Sequence, residues 1–381
     1  MKTVKCNKGY IGGLLFLLLV SSCFSPERHV KMPVLSPLDK SGVLDLAEVV
    51  DTVMYIQLDD SILLSGIGNL SMTDSFIIGT TKKYGILRFD LNGQFRNAIG
   101  HIGEGPEEYL TKFYNMAVDA INGTVYVYMF PDVLLSYSLE GKFLERTHLQ
   151  WPKEIAGVQY PDIFRVQNGL LHFYYMNAGG KGKKPLYWLT MTKEGGFVNC
   201  RMGQKSRKDS NEGVLLINDY VNVDDSTMIY WDNYNDTIFH VTPSSERAVY
   251  LFEEGKFRLQ ETDELPLPST PRVRCSRIID TDHFLILTWG KMSMDDSIWY
   301  NLYDKDTDTM YRLHEDMKPD RRIDLSLRHK WMSYARLKRR EYLVTLSSAY
   351  QLKDIPGALR QGINEDDMEG NPVIVLIRLK E

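Results

Sequence analysis

Short apolar runs, each preceded by a polar turn, recur along the chain. Asp74-Ser75 precedes Phe76-Ile77-Ile78, Asn122-Gly123 precedes Thr124-Val125-Tyr126-Val127-Tyr128, and Asn168-Gly169 precedes Leu170-Leu171-His172-Phe173-Tyr174-Tyr175. Further on, Asp225-Ser226 precedes Thr227-Met228-Ile229-Tyr230-Trp231, and Thr281-Asp282 precedes His283-Phe284-Leu285-Ile286-Leu287. Runs this short, rich in β-branched and aromatic residues and bounded by turn formers, predict strands.

A second pattern sets the period. Phe89-Asp90-Leu91-Asn92-Gly93-Gln94-Phe95, Tyr137-Ser138-Leu139-Glu140-Gly141-Lys142-Phe143 and Met191-Thr192-Lys193-Glu194-Gly195-Gly196-Phe197 align without gaps at spacings of 48 and 54. Glycine at the fifth place supplies a positive φ in a tight hairpin, and Phe at the seventh starts the returning strand. Looser copies follow at Phe239-His240-Val241-Thr242-Pro243-Ser244 and Tyr303-Asp304-Lys305-Asp306-Thr307. A repeat of about 50 residues holding four short antiparallel strands has the length of one propeller blade. The last run, Val373-Ile374-Val375-Leu376-Ile377-Arg378-Leu379, has no turn and no returning strand after it. The run Val49 to Leu58 precedes the first blade and fits as the missing outer strand of the last one. The expected fold is therefore all-β. It is a six-bladed β-propeller of four-stranded antiparallel blades, its ring closed by the N-terminal strand joining the C-terminal blade. Closure removes an edge that would otherwise invite aggregation.

These residues resemble the six-bladed β-propeller lipoproteins of Bacteroidetes, which are similar to NHL-type propellers. The resemblance rests on Phe89 to Phe95, on Gly103-Glu104-Gly105-Pro106-Glu107-Glu108-Tyr109, on Asn235-Asp236-Thr237-Ile238-Phe239, on Asn371-Pro372-Val373-Ile374-Val375-Leu376 and on a lipobox near the start. It runs from Leu44 to Lys380. The family usually carries a second glycine where this chain has Glu107. The resemblance implies a fold and a cellular address; the family has no settled activity, so it implies no specific chemistry.

The start of the chain supports that address. Lys2, Lys5 and Lys8 precede an apolar stretch from Ile11 to Val20, too short for a membrane-spanning helix, and Val20-Ser21-Ser22-Cys23 follows. Residues 1–22 read as a lipoprotein signal peptide, Cys23 as the lipidated residue, 23–40 as a lipid-anchored tether and 41–381 as the propeller. Partners follow from this: the membrane through lipid on Cys23, and a glycan, peptide or envelope protein on the ring, which is expected to be a monomer. The location is an outer-membrane lipoprotein, with a periplasm-facing body slightly favoured because Phe24-Ser25-Pro26-Glu27 carries only one acid.

Charge then narrows the classes. The formal net charge is −5, and loss of the three signal lysines makes the mature chain more acidic. An acidic chain without a basic stripe argues against nucleic acid. Cys200 and Cys275 remain after the signal and anchor cysteines, and two buried thiols are favoured over a disulfide. The segment Gly100-x-x-Gly103-x-Gly105-Pro106 is no phosphate loop, since proline and two acids repel a phosphate and no helix opens after it. It reads as a joint between blades, with Glu104 and Tyr109 within reach of a ligand.

In propellers, the joins between blades and the second-to-third-strand loops gather on one face. Here those loops hold Tyr84, Trp231, Asn233, Tyr234, Asp236, Trp289 and Lys291. Aromatic planes beside amide and charged groups suit a sugar or peptide. Asp232, Asp236, Glu104 and Glu107 are conceivable ligands of a channel metal, although surface solvation is favoured and no metal or cofactor is expected. No H-E-x-x-H or G-x-S-x-G occurs, and His101, His172 and His240 read as surface or core residues. Lys338-Arg339-Arg340 and Arg321-Arg322 read as turn decoration, and Gln351 to Asn371 as a lid or loop in the last blade. A binding propeller is favoured over catalysis. The alternative is a metal-dependent hydrolase or lyase of the lactonase-like propeller type.

Overall fold

The computed structural model describes residues 30–33, 42–110, 114–153, 155, 161, 163–178, 186–202, 219–220, 227–231, 237–242, 245–253, 273–291, 298–314, 333–352 and 370–380. The chain begins with β1 (Val30–Pro33), β2 (Val43–Leu44), a one-turn helix α1 (Leu46–Val49) and β3 (Val50–Gln57). Asp45 caps that helix: its carboxylate accepts from Ala47 N while Glu48 accepts from Asp45 N. Such a capping box explains why Leu44-Asp45-Leu46 breaks into a helix rather than running on as strand.

Six sheets follow around the ring. Blade 1 holds β4 (Gly68–Met72), β5 (Ile77–Thr81), β6 (Gly85–Phe89) and β7 (Phe95–Ile99). Blade 2 holds β8 (Tyr114–Asp119), β9 (Thr124–Met129), β10 (Val133–Ser138) and β11 (Phe143–His148). Blade 3 holds β12 (Ile163–Gln167), β13 (Leu170–Ala178), β14 (Leu186–Thr192) and β15 (Phe197–Met202). After β16 (Asp219–Tyr220), blade 4 holds β17 (Met228–Tyr230), β18 (Thr237–Val241) and β19 (Glu246–Glu253). Blade 5 holds β20 (Val273–Asp280), β21 (Phe284–Lys291), β22 (Ile298–Asp304) and β23 (Thr309–Leu313). Blade 6 holds β24 (Ser333–Leu337), β25 (Arg340–Ser347) and β26 (Val373–Leu379), with β3 as its fourth strand; a short helix α2 (Ala349–Leu352) follows β25.

The ring closes as the pattern predicts. β3 runs antiparallel to β26, with Gln57 opposite Val373, Tyr55 opposite Val375 and Val53 opposite Ile377. Two details differ from four uniform strands per blade. β16 stands where blade 4 should begin but pairs in parallel with β20 of blade 5. β1 and β2 add in parallel to the outer strands of blades 4 and 5.

The core lies between blades rather than within them. On β9, Val125 and Val127 pack toward blade 1 while Tyr126 and Tyr128 pack toward blade 3. On β26, Val373, Val375 and Ile377 face blade 5 while Ile374 and Leu376 face blade 1. Middle strands are thus apolar on both faces, and their runs are continuous rather than alternating. Outer strands such as β11, with both faces partly in solvent, carry the charges.

The repeated glycines join neighbouring blades. Gly93, Gly141 and Gly195 have φ of 78°, 86° and 86°. Each carbonyl accepts a backbone N–H from the end of the preceding blade: Asp59 at 2.9 Å, Gly100 at 3.2 Å and Gln150 at 2.9 Å, in that order. A Cβ on these glycines would fall 2.1, 2.2 and 2.6 Å from the carbonyl oxygens of Gln57, Ala98 and His148. Glycine is needed twice over, for the left-handed turn and for the close approach of two backbones. Asn371, fully buried just before β26, secures the same closure. Its amide donates to Asp59 O (2.6 Å) and Ile62 O (2.7 Å), and its Oδ1 accepts from Leu64 N (2.7 Å).

Candidate functional site

The joins between blades and the second-to-third-strand turns meet on one face, as contacts around blade 1 show. Tyr109, in the join to blade 2, donates its hydroxyl to Ile99 O at 2.9 Å and accepts from Ile86 N at 3.0 Å, at the turn between β5 and β6. It is fully buried and meets Tyr137 edge-on at 6.0 Å. Tyr137 donates in turn to Glu107 O at 2.8 Å, and Arg146 to Pro106 O at 2.9 Å. Burial, with the neighbouring Tyr109 and acids, pushes the Tyr137 hydroxyl well above its ordinary pKa, so it remains a donor. Glu108 folds back to accept from Gly105 N at 2.8 Å, and a Cβ at Gly103 would strike that carboxylate at 1.9 Å. The glycines therefore make room for the loop's own carboxylate. Glu104 and Glu107 alone among its acids are exposed.

The other expected contacts divide sharply. Trp231 and Trp289 are 1% and 0% exposed and belong to the apolar core of blades 3, 4 and 5, with Phe252 edge-on to both rings. With their faces covered, they offer no stacking surface. Tyr84 sits half-buried in the β5–β6 turn with the Lys83 ammonium 4.7 Å from its ring centre. Thr81 holds that turn, accepting from Tyr84 N at 3.0 Å and donating to Gly85 O at 3.1 Å. Lys291 ends β21. Asn233, Tyr234 and Asp236 lie outside the described residues, as do Cys23, Arg321 and Arg322.

The sequence reading missed a set of exposed apolar side chains on this face. Leu63 (63% exposed) lies in the join from blade 6 to blade 1, and Ile102 and Leu110 in the join from blade 1 to blade 2. Phe130 (45%) lies in the β9–β10 turn, and Tyr350 in α2 of blade 6. Beside Phe130, Pro131 O accepts from Tyr128 OH at 2.8 Å and from the Trp151 indole at 2.9 Å. These two bonds anchor the turn. On the opposite side, among the described residues, Ile121 is exposed in the β8–β9 turn and Phe197 (45%) opens β15 directly after its hairpin turn. Spacing could not separate these residues from core positions; their places in turns and joins could.

Two buried titratable groups lie away from this face, one in a blade joint and one within a blade. The carboxylate of Asp280, with no exposure, lies 3.0 Å from His240 Nε2, 2.5 Å from Lys305 Nζ and 3.4 Å from Tyr250 OH. Burial and then Asp280 push the Tyr250 hydroxyl up, and the group bolts blade 4 to blade 5. His172, buried beside Thr190 Oγ1 at 3.1 Å, is pushed down to about 4 by burial and stays neutral. A cleft of about 220 Å³ between blades 2 and 3 is lined by Tyr126, Ser136, Glu145, Lys193 and Glu194. Lys193 there is already 3.6 Å from Asp119. Cys200 and Cys275 form no disulfide; Cys275 is buried and Cys200 only partly so. Among the described residues, no group of three or more His, Cys, Asp or Glu side chains could hold a metal, and no helix is long and apolar enough to cross a membrane.

Comparison with known proteins agrees with this architecture. The model of DUF4934, described as a domain of unknown function, matches residues 30–378. A crystal structure of a Bacteroides fragilis protein described as exported is similar at a TM-score of 0.66 and 17% identity, covering 93% of this chain and all of that one. YCF48 bound to D1 peptide covers 80% of each chain at 10% identity, and YCF48 from Cyanidioschyzon merolae covers 85% of this chain and 98% of its own at 12%; both have a TM-score of 0.40, too low to bear on this chain. No curated protein matches.

Proposed function

We propose, from the premise that the chain belongs to the DUF4934 family, that it is a cell-envelope lipoprotein whose ring binds a protein partner through its loop-lined face. The observation that carries this reading is the set of exposed side chains Leu63, Ile102, Leu110, Phe130 and Tyr350 on the joins and turns of blades 6, 1 and 2. Binding residues concentrate in loops held by a scaffold, and apolar side chains exposed in those loops suit a protein partner. Tyr84 and Glu104 border them, and Asn233, Tyr234, Asp236 and Lys291 belong by sequence to turns of the same set. The burial of Trp231 and Trp289 weakens a sugar-stacking platform and favours a protein or peptide over a glycan. Export is supported by the description of the B. fragilis relative and by the signal and lipobox ending at Cys23. The ring is proposed as the outer-membrane, periplasm-facing body of this lipoprotein.

A photo-crosslinking residue placed at Phe130, and separately at Ile121 on the opposite loops, tests the reading in intact cells. A discrete crosslinked product from position 130 and none from 121 is the expected result. Crosslinks from 121 alone, or a product unchanged by Leu63→Glu and Ile102→Glu, would rule the loop face out.

A further inference from the structure

Before entering blade 1, the chain walks along the outer rim of three blades. β1 lies on the edge of blade 4, with Val30 beside Tyr250 and Pro33 beside Glu253. β2 lies on the edge of blade 5, Val43 beside Arg312, and β3 completes blade 6. The DUF4934 match begins at residue 30, the first residue of β1, so this rim strand belongs to the family's domain. The part of the 23–40 segment free to act as a tether is thus shortened at Val30. Cys23 precedes Val30 by only seven residues. Seven residues span at most about 25 Å in any conformation. A ring of this size is roughly 50 Å across.

We propose that the outer rim of blade 4 is the membrane-proximal edge of the protein, and that blade 1, opposite it in the ring, is held away from the bilayer. The inference rests on the reading of Cys23 as lipidated and adds an orientation to it. An unpinned tether would leave the ring free to tumble; attachment at Val30 brings one rim under the anchor. Rim attachment also requires neither loop face to lie against the bilayer, which leaves the proposed partner surface open.

The test uses the full chain, expressed with its signal, purified from membranes and reconstituted into phosphatidylcholine–phosphatidylglycerol vesicles holding an acceptor-labelled lipid. The mass of the N-terminal peptide reads the lipid on Cys23. A donor dye is placed at Arg247→Cys on blade 4 or at Arg96→Cys on blade 1, each with Cys200→Ser; Cys275 is buried and escapes labelling. Energy transfer from position 247 should exceed that from position 96 by at least about twofold, given a ring roughly 50 Å wide. Inserting twenty Gly-Ser residues after Glu27 should bring the ratio toward one, because the coil then reaches roughly 30 Å on average and more when extended. A lipidated protein with equal transfer from both positions overturns the orientation and leaves the anchor standing. A Cys23 without lipid overturns the anchor and the orientation together. A ratio that survives the insertion shows that the short reach is not its cause, and the inference fails.

Discussion

Asn371 shows how much can depend on one amide. It has no exposure and satisfies three backbone groups of the segment from Asp59 to Leu64, more than 300 residues away in sequence. Asn371→Ala would leave two carbonyls and one N–H buried without that partner. A loss of about 3 kcal/mol or more is expected, read as a lower urea midpoint. A variant within 1 kcal/mol of the parent would show that water replaces the amide freely. His172 makes a pH-dependent contribution. Its folded pKa of about 4 lies below the unfolded value of about 6.5, so the unfolded chain takes up the proton first as pH falls. Stability from this residue is therefore full above about pH 6.5 and is lost progressively toward pH 4, by up to about 3 kcal/mol. The difference between parent and His172→Asn unfolding curves should shrink over that window. A difference independent of pH would contradict a buried neutral imidazole. Neither role is written in local sequence: the partners of Asn371 are remote, and a histidine in an apolar run is silent about its protonation.

The third-to-fourth-strand hairpin is the element where sequence and structure agree most closely. Its glycine and phenylalanine mark a turn with a bulge beside it, repeated at Arg88/Phe89, Ser136/Tyr137 and Thr190/Met191. The turn was legible because positive φ and a tight reversal leave few residues to choose from. The second constraint, contact with the preceding blade, was not legible, because it depends on a neighbour in space. Two glycines separate the effects. Gly123 has φ 63° with only Leu139 side-chain atoms near its missing Cβ, at 3.6 Å or more. Gly141 has φ 86° and the Ala98 carbonyl oxygen at 2.2 Å. Both alanine variants should lose the left-handed preference, about 1–2 kcal/mol. Gly141→Ala should lose at least about 1 kcal/mol more, the cost of prising two blades apart. Equal losses in thermal unfolding would mean that the hairpin does not hold its neighbour.

For the whole molecule, continuous apolar runs such as Val373 to Ile377 were legible as strands buried on both faces, and the missing strand of the last blade as the chain's own beginning. The rim strand β1 was not, since four residues in a proline-bearing segment carry no hairpin signal and a parallel edge needs none. The ligand-facing assignment of Trp231 and Trp289 came from aromatic residues at strand ends. Such positions serve a rim or a core equally well, and here the core of blades 3 to 5 takes both rings. The loop face, the rim strand and the anchored edge all have their places only if the ring closes through β3 and β26. Arg378 Nη2 lies 3.2 Å from Thr52 Oγ1 across that seam, and the two residues are direct cross-strand partners. Cross-strand neighbours have Cα separations of about 4.5–5.5 Å, within disulfide range. The most direct measurement is therefore oxidation of Thr52→Cys/Arg378→Cys in a Cys200→Ser background. An intramolecular disulfide, formed in the native state and raising Tm by several degrees, is the predicted result. Two thiols that stay reduced while the protein is folded, or that bridge only separate molecules, would contradict the closed ring.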